Sequence, residues 1–344
     1  MIFEILVCLI ILVTLYLIRK IFNGPFNHIT TELHWKNVVI TGSSSGIGKE
    51  TALDLLDKGA NVIFACRDEK KTKAIISQID NPEVRDRASF MKLDLCSLES
   101  VNNFTKELKK RINTIDILIN NAGILADNFN LTQDEIEESL QANHIGHMVL
   151  TFLLLNFMNK EESRIINVSS AAHRGATYTV EEIIRLKNNL EFKGEGDNYS
   201  LKKAMSQYGN TKLANIFFTQ YLSDILRVKF QNIKTACLHP GVVNTEFARF
   251  IDNFNFLIRL IYIFIIYPIF WFFTKSSVAG AQTTLYLSYI DLDALENGEY
   301  YENCKKKETA EIAKDVNLKN EVISYSWLLI DKATKDKFVV PRYD

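Results

Sequence analysis

Tyr208 and Lys212 stand four residues apart in a stretch, Tyr208–Leu226, whose pattern predicts a helix, so both side chains share one face. A phenol with a reference pKa of ~10 is a poor base at neutral pH. A neighbouring ammonium favours the phenolate, and the two groups together would move a proton. The same spacing arises by chance on ordinary helices, so the pair carries weight only with other polar groups beside it. Ser169 and Ser170 end a predicted strand, Arg164–Val168, at the edge where α/β sheets gather ligand-binding groups. One of these hydroxyls would hold a carbonyl or alcohol oxygen against the phenol. Asn120-Asn121-Ala122-Gly123 follows another strand, and Asn143 lies in the helical region beyond. An amide there can hold its backbone open for a water near Lys212, and a local turn or helix-defect hydrogen bond is the competing use of each asparagine.

A second constellation lies near the other end. Thr41-Gly42-Ser43-Ser44-Ser45-Gly46-Ile47-Gly48 follows the apolar run Val38-Val39-Ile40 and precedes a predicted helix over Gly46–Lys58. Glycines in such a turn let backbone N–H groups approach a pyrophosphate, and the helix directs its positive end at the anion. At the end of the next strand a dinucleotide site meets the adenosine ribose. An acid there would favour NAD, whereas this chain places Cys66 and Arg67, and an arginine suits the 2′-phosphate of NADP. Asp68 complicates the choice, since it can pair with Arg67 or approach the ribose itself.

The elements that must position these groups alternate. Strands are predicted within Trp35–Thr41 and at Asn61–Cys66, Phe90–Leu93, Ile115–Asn120, Arg164–Val168 and Ile233–Leu238, with helices at Gly46–Lys58, Asp68–Asp80, Leu98–Arg111 and Tyr208–Leu226 and a long helical region within Gln133–Met158. That rhythm calls for an α/β fold: a Rossmann-like, doubly wound parallel sheet with helices on both faces. Tyr178–Met205 reads as a polar surface excursion, and the tail from Thr309 as helical to about Lys332.

Composition limits the function classes. At 344 residues and 47% hydrophobic the chain builds a large core, which excludes wholesale disorder. Forty basic against forty-one acidic side chains give no electrostatic case for nucleic acid. Five dispersed cysteines suggest neither a disulfide scaffold nor a zinc site and fit a reducing compartment. Ile5–Ile18 is fourteen residues without a charge, and a helix over Met1–Ile18 would be about 27 Å long, slightly under the hydrocarbon thickness. A cleaved leader is the rival to a retained anchor, but no basic residue precedes the run and no small-x-small site follows it. Arg19-Lys20 then puts the following domain on the cytosolic side. Leu260–Phe273 holds seven aromatics in fourteen residues between Arg259 and Lys275, and Pro268 would break or kink a helix there. It is either a pair of packed helical segments or a hairpin dipping into one leaflet.

Taken together, Thr41-Gly42-x-x-x-Gly46-Ile47-Gly48, Asp94, Asn120-Asn121-Ala122-Gly123, Asn143, Ser170, Tyr208-x-x-x-Lys212 and Pro240-Gly241 make the chain resemble the short-chain dehydrogenase/reductase family from Trp35 to about Cys304. More narrowly it is similar to the microsomal retinol dehydrogenase branch. Ala65-Cys66-Arg67-Asp68, Asn143-His144-Ile145-Gly146-His147, His239-Pro240-Gly241-Val242-Val243-Asn244-Thr245, Gly280-Ala281-Gln282-Thr283 and Gly298–Cys304 carry that likeness.

The resemblance implies that Ser170, by motif register preferred to Ser169, orients substrate and that Tyr208 transfers the proton. It implies that Lys212 contacts the nicotinamide ribose and depresses the tyrosine pKa, and that Asn143 maintains a water relay. Cofactor contacts fall to Gly42, Ser44, Ser45, Gly46, Ile47, Gly48, Arg67, Asp94, Leu95, Asn121, Ala122, Gly123, Tyr208, Lys212, Pro240, Gly241, Val243 and Thr245. Asp116 reads as a sheet and turn stabiliser.

The expected organisation is an anchor over 1–20, a catalytic domain over 35–310 with a lid or membrane-contacting segment at 254–275, and a helical tail over 311–344. The expected activity is NADP(H)-dependent interconversion of an apolar alcohol and its aldehyde or ketone, with retinol/retinaldehyde, steroid or fatty-aldehyde substrates. The expected place is the endoplasmic reticulum membrane, facing the cytosol. A non-catalytic nucleotide-binding interaction protein is the alternative of a different class.

Overall fold

Short runs of apolar residues, buried on both sides, form the sheet at the centre of the computed structural model, which describes residues 2–29, 31–188, 200–243 and 267–343. The strands are β1 (Asn37–Thr41), β2 (Asn61–Cys66), β3 (Ala88–Lys92), β4 (Ile117–Asn120), β5 (Ser163–Val168), β6 (Ile233–His239), β7 (Tyr300–Glu302) and β8 (Lys305–Lys306). Their order is β3-β2-β1-β4-β5-β6-β7-β8, parallel except for the β7–β8 hairpin. The chain reverses direction across the sheet between β1 and β4. Their carboxyl ends therefore open a crevice of the kind that binds ligands in doubly wound folds. The predicted parallel α/β sheet is present. The Gly298–Cys304 region supplies β7 and the turn after it.

Around the sheet run α1 (Ile2–Asn23), α2 (Gly46–Asp57), α3 (Glu69–Ser77), α4 (Pro82–Arg85), α5 (Leu98–Arg111), α6 (Gly146–Leu154), α7 (Val180–Asn188), α8 (Leu201–Lys229), α9 (Tyr267–Phe273), α10 (Ser277–Tyr289) and α11 (Val316–Thr334). Side chains alternate along each strand, so neighbours serve opposite faces. Val39, Ile63, Leu118 and Ile165 join α5, α6, α8 and α11 in one core, while Val38, Ile40, Val62, Phe64, Ile119 and Ile166 join α2 and α10 in the other. Ser97, Ser276 and Asp315 cap α5, α10 and α11 by accepting from backbone N–H groups in the first turn. Asp116 accepts from the Asn37 N–H at 2.8 Å and from Asn159 Nδ2 at 2.8 Å, which pins the start of β1 to the loop before β5.

Two regions take a finer form than the sequence pattern specifies. The long helical region expected within Gln133–Met158 is present from Glu138 to Phe157, with a π-helical turn, Gln141–Ile145, ahead of α6. The excursion before Tyr208 carries α7, and α8 starts at Leu201, where Ser200 caps it; residues 189–199 of that interval lie outside the described residues. Pro268 lies within Tyr267–Phe273, and the residues before it that a kink or break would involve fall outside the described residues. Residues 244–266 lie outside the described residues, and with them Asn244, Thr245 and most of the 254–275 lid.

Among the described residues no helix is long and apolar enough to cross a membrane. The end of α1 packs on α9. The Arg19 guanidinium sits 4.5 Å from the Trp271 ring centroid and donates to the carbonyls of Phe272 and Thr274, and Phe22 meets Phe273 edge-on.

Candidate active site

The glycine-rich turn is built by close approach. Gly42 has φ +68°, and a Cβ there would lie 2.8 Å from Ala122 Cα; at Gly48 it would lie 2.4 Å from Asn121 Nδ2. Side chains are thus excluded where the turn meets the segment after β4. Ser45 begins α2 without a side-chain capping bond to its first turn. The Asn121 amide reaches the Thr41 carbonyl at 2.8 Å, so the turn and the Asn121–Gly123 segment are one unit.

Thr41 is the centre of that unit. Its fully buried hydroxyl accepts the Asn121 and Ala122 N–H groups, both at 2.9 Å, and lies 2.8 Å from His147 Nε2. His147 Nδ1 lies 3.1 Å from the Asn143 carbonyl. A carbonyl only accepts, so Nδ1 carries the hydrogen and Nε2 takes the threonine proton. Burial first, and the Lys212 charge further down, bring His147 to a pKa of about 3, so it stays neutral.

Across the crevice α8 presents Tyr208 and Lys212 on one face, with Lys212 Nζ 5.5 Å from the Tyr208 ring centroid. Lys212 is buried, and its ammonium donates to the Val168 carbonyl at 3.1 Å. Gly123 lies against both Lys212 and Asn143: a Cβ built on it would be 3.2 Å from Nζ and 3.5 Å from Asn143 Oδ1. Asn143 occupies the middle of the π-helical turn. Its amide accepts from the Ile124 N–H at 2.7 Å and donates to the Ile124 carbonyl and to Thr211 Oγ1. These partners lie outside the turn, so Asn143 ties it to the segment after β4 and to α8.

Ser169 and Ser170 separate cleanly. Ser169 is buried and donates to the Lys212 backbone carbonyl at 2.7 Å, whereas Ser170 is half-buried, accepts from the Ala172 N–H and lies near the Tyr208 hydroxyl. Burial raises the Tyr208 pKa above the usual phenol range, and the nearby Ser170 hydroxyl opposes that rise. The expected depression by lysine is therefore not what this arrangement displays. The amine is held at the Val168 carbonyl, and burial brings its own pKa down to about 8.

The remaining sequence candidates fall around the same crevice. Arg67 is exposed just past the end of β2, and Asp68 Oδ1 accepts the Lys71 N–H at 2.9 Å as the cap of α3. Asp94 accepts from the Cys96 N–H, and Leu95 beside it is buried. Pro240-Gly241 follows β6, the Val242 carbonyl accepts the Lys275 N–H, and Val243 bridges to Lys275. Thr245 lies outside the described residues. His144 and His147 stand in a motif of the family branch with no role implied for them, and Thr211, Asn215 and His173 lie outside every motif. Their only signal was polarity in runs otherwise destined for the core.

An open parallel sheet, an uncapped glycine-rich turn at its switch point and a polar cluster on the neighbouring strand ends define a dinucleotide-binding α/β protein. The short chain dehydrogenase profile matches residues 36–180. Retinol dehydrogenase 13 of Mus musculus is 33% identical over 303 residues, covering 87% of this chain and 84% of its own length. Retinol dehydrogenase 12 of Bos taurus is 35% identical over 292 residues, covering 84% of each. An uncharacterized protein from Mycobacterium Paratuberculosis matches with a TM-score of 0.67 at 26% identity, covering 93% of this chain and 100% of its own. Salutaridine reductase from Papaver somniferum shares the fold, with a TM-score of 0.53 at 20% identity over 77% of this chain and 99% of its own. The chain belongs to the short-chain dehydrogenase/reductase family, oxidoreductases that work on alcohols and carbonyls with a nicotinamide cofactor, and within it is retinol dehydrogenase-like.

Proposed function

We propose that the protein is an NADP(H)-dependent oxidoreductase that interconverts an apolar alcohol and its aldehyde or ketone, with Ser170, Tyr208, Lys212 and Asn143 as the working residues. The observation that carries this reading is their convergence: Lys212 beside the Tyr208 ring, Asn143 and Lys212 both against Gly123, and Ser170 at the end of β5 near the Tyr208 hydroxyl. The glycine-rich turn, the uncapped start of α2 and the Asn121–Gly123 segment fit a dinucleotide phosphate and its nicotinamide half.

When bound, the cofactor supplies or takes the hydride. Ser170 and Tyr208 hold the substrate oxygen. The phenol, raised by burial, is protonated at neutral pH and so is in the form that donates during carbonyl reduction. Lys212 places its charge between the Val168 carbonyl and the tyrosine face, and Asn143 keeps the π-helical turn open beside it. Support for NADP over NAD comes from Arg67 at the end of β2, exposed, while Asp68 is engaged as a helix cap.

Retinol and retinaldehyde head the substrate classes because the relatives carry that name. Association with a lipid surface is part of the proposal: α1 exposes Leu9, Ile10, Leu17 and Ile21, and Trp271 and Phe273 are exposed on α9 packed against it. The cytosolic face of the endoplasmic reticulum is the place we assign it, and the family branch is what supports that. Detergent-solubilised protein offered NADPH and NADH with retinoid, steroid and fatty aldehydes tests all of this chemistry. Turnover of at least one aldehyde with NADPH ahead of NADH is expected; no cofactor oxidation across the panel would overturn it.

A further inference from the structure

The last part of the chain reaches back to the catalytic groups at two points, each through a buried histidine. His173 follows Ser170 in a short 3₁₀ turn, Ala171–Gly175, and is wholly buried. Its Nδ1 lies 2.7 Å from the Ser170 carbonyl. That contact fixes the hydrogen on Nδ1, and the bare Nε2 accepts the Ala310 N–H at 3.2 Å. His144 is also wholly buried, inside the π-helical turn. Its Nε2 lies 2.8 Å from Ser326 Oγ on α11, and its Nδ1 lies 3.3 Å from Asn215 Oδ1 on α8. The Asn215 amide donates to the Val168 carbonyl at 3.3 Å, the same oxygen that holds the Lys212 ammonium at 3.1 Å. α11 is a firm support for this chain of contacts, because Leu318, Val322, Trp327 and Ile330 bury it in the core that α8 and α6 share.

We propose that His144 and His173 are positioning residues through which the C-terminal segment sets the catalytic groups, His173 placing Ser170 and His144 placing Lys212. The inference rests on the reading that Ser170, Tyr208 and Lys212 carry the reaction. It goes beyond that reading by giving residues 310–326 a part in catalysis without contact with substrate. Neither histidine touches the reacting atoms. Each converts a distant backbone or hydroxyl group into a fixed orientation close to the site, and a displacement on the order of 1 Å there is enough to cost a large factor in rate.

Two substitutions remove the distant ends and leave the site residues untouched. Ala310 has φ −64°, already within the range of proline, so Ala310→Pro deletes the N–H offered to His173 and sets a ring carbon against the imidazole in its place, which displaces the histidine. Ser326→Ala deletes the hydroxyl opposite His144. The full chain in detergent is assayed with the best aldehyde of the panel and NADPH. Ala310→Pro is expected to lower kcat about tenfold with the KM for NADPH unchanged, since only the serine side loosens. Ser326→Ala is expected to raise the KM for NADPH severalfold and lower kcat, and Ser326→Thr, which keeps a hydroxyl, to restore both. Kinetic constants within twofold of the parent for Ala310→Pro and Ser326→Ala overturn the proposal. So does an equal loss of activity in both that tracks only the fraction of folded protein. Tyr208→Phe run alongside separates the two levels: if it keeps turnover, the underlying site assignment fails, whereas its loss beside two unaffected variants refutes the positioning alone.

Discussion

Replacing Thr41 by valine tests the link between the nucleotide turn and the π-helical turn, because it removes one hydroxyl and keeps the volume. In the parent that hydroxyl accepts the Asn121 and Ala122 N–H groups and gives its proton to His147 Nε2, in a position with no solvent exposure. The Asn121 N–H retains a second acceptor, the Ile119 carbonyl at 3.1 Å, so it is the least affected. His147 Nε2 and the Ala122 N–H lose their partner. A buried polar group stripped of its hydrogen bond costs about 1–3 kcal/mol, with the imidazole nitrogen toward the upper end and the amide, nearer the surface, toward the lower. The sum is about 3 kcal/mol. With a urea dependence of about 3 kcal/mol per molar, the unfolding midpoint should fall by about 1 M. Thr41→Ser keeps the oxygen and should stay close to the parent. The assay is equilibrium urea unfolding of the three proteins, with the KM for the nicotinamide cofactor measured in parallel and expected to rise in Thr41→Val. A valine variant whose midpoint matches the parent would show that the hydroxyl is not the junction argued for it.

Acid should weaken the fold through its histidines. Burial depresses His144 and His239 to about 4 and His147 to about 3, below the ordinary histidine value. Between that value and the folded one the unfolded chain binds more protons, so stability falls as pH falls through this window; for a folded value near 4 the loss by pH 5 is about 2 kcal/mol per histidine. Urea midpoints at pH 7, 6 and 5 should decline, and a flat series refutes the buried neutral state. Tyr208→Phe should cut kcat by about 100-fold or more while NADPH binding, followed by fluorescence titration, stays within a few-fold of the parent. Arg67→Asp should weaken NADPH far more than NADH, and equal weakening of both would remove the 2′-phosphate role from that side chain.

Much of the fold was legible because its strands are buried on both faces. Val38-Val39-Ile40 and Asn61–Cys66 stand out as apolar runs between polar turns, and each lies in the strand expected of it. Within Gln133–Met158 the helical region was legible and its π-helical turn was not. Its side chains keep helical character throughout, and at that turn a single amide, Asn143, satisfies both backbone groups of Ile124, a residue beyond any helical window. Hydrophobic pattern registers which face is buried, not a side chain that diverts the backbone ladder.

The candidate site divides along the same line. Its front, the glycine turn, Asn121, Ser170, Tyr208 and Lys212, consists of short motifs fixed to strand ends or to one helical turn, where spacing along the chain already implies proximity. Its back does not. His144 meets a residue 182 positions away, His173 one 137 away, and Thr41 reaches His147 across 106. Each of these contacts involves a buried histidine that looks, in sequence, like misplaced polarity in an apolar run. Burial without a partner would make every one of them a liability of about 1–3 kcal/mol, so their presence in the core carries information: a buried histidine at such a position demands a donor and an acceptor of fixed direction. The polar residues of least obvious purpose are thus the ones that bind the two halves of the site to each other.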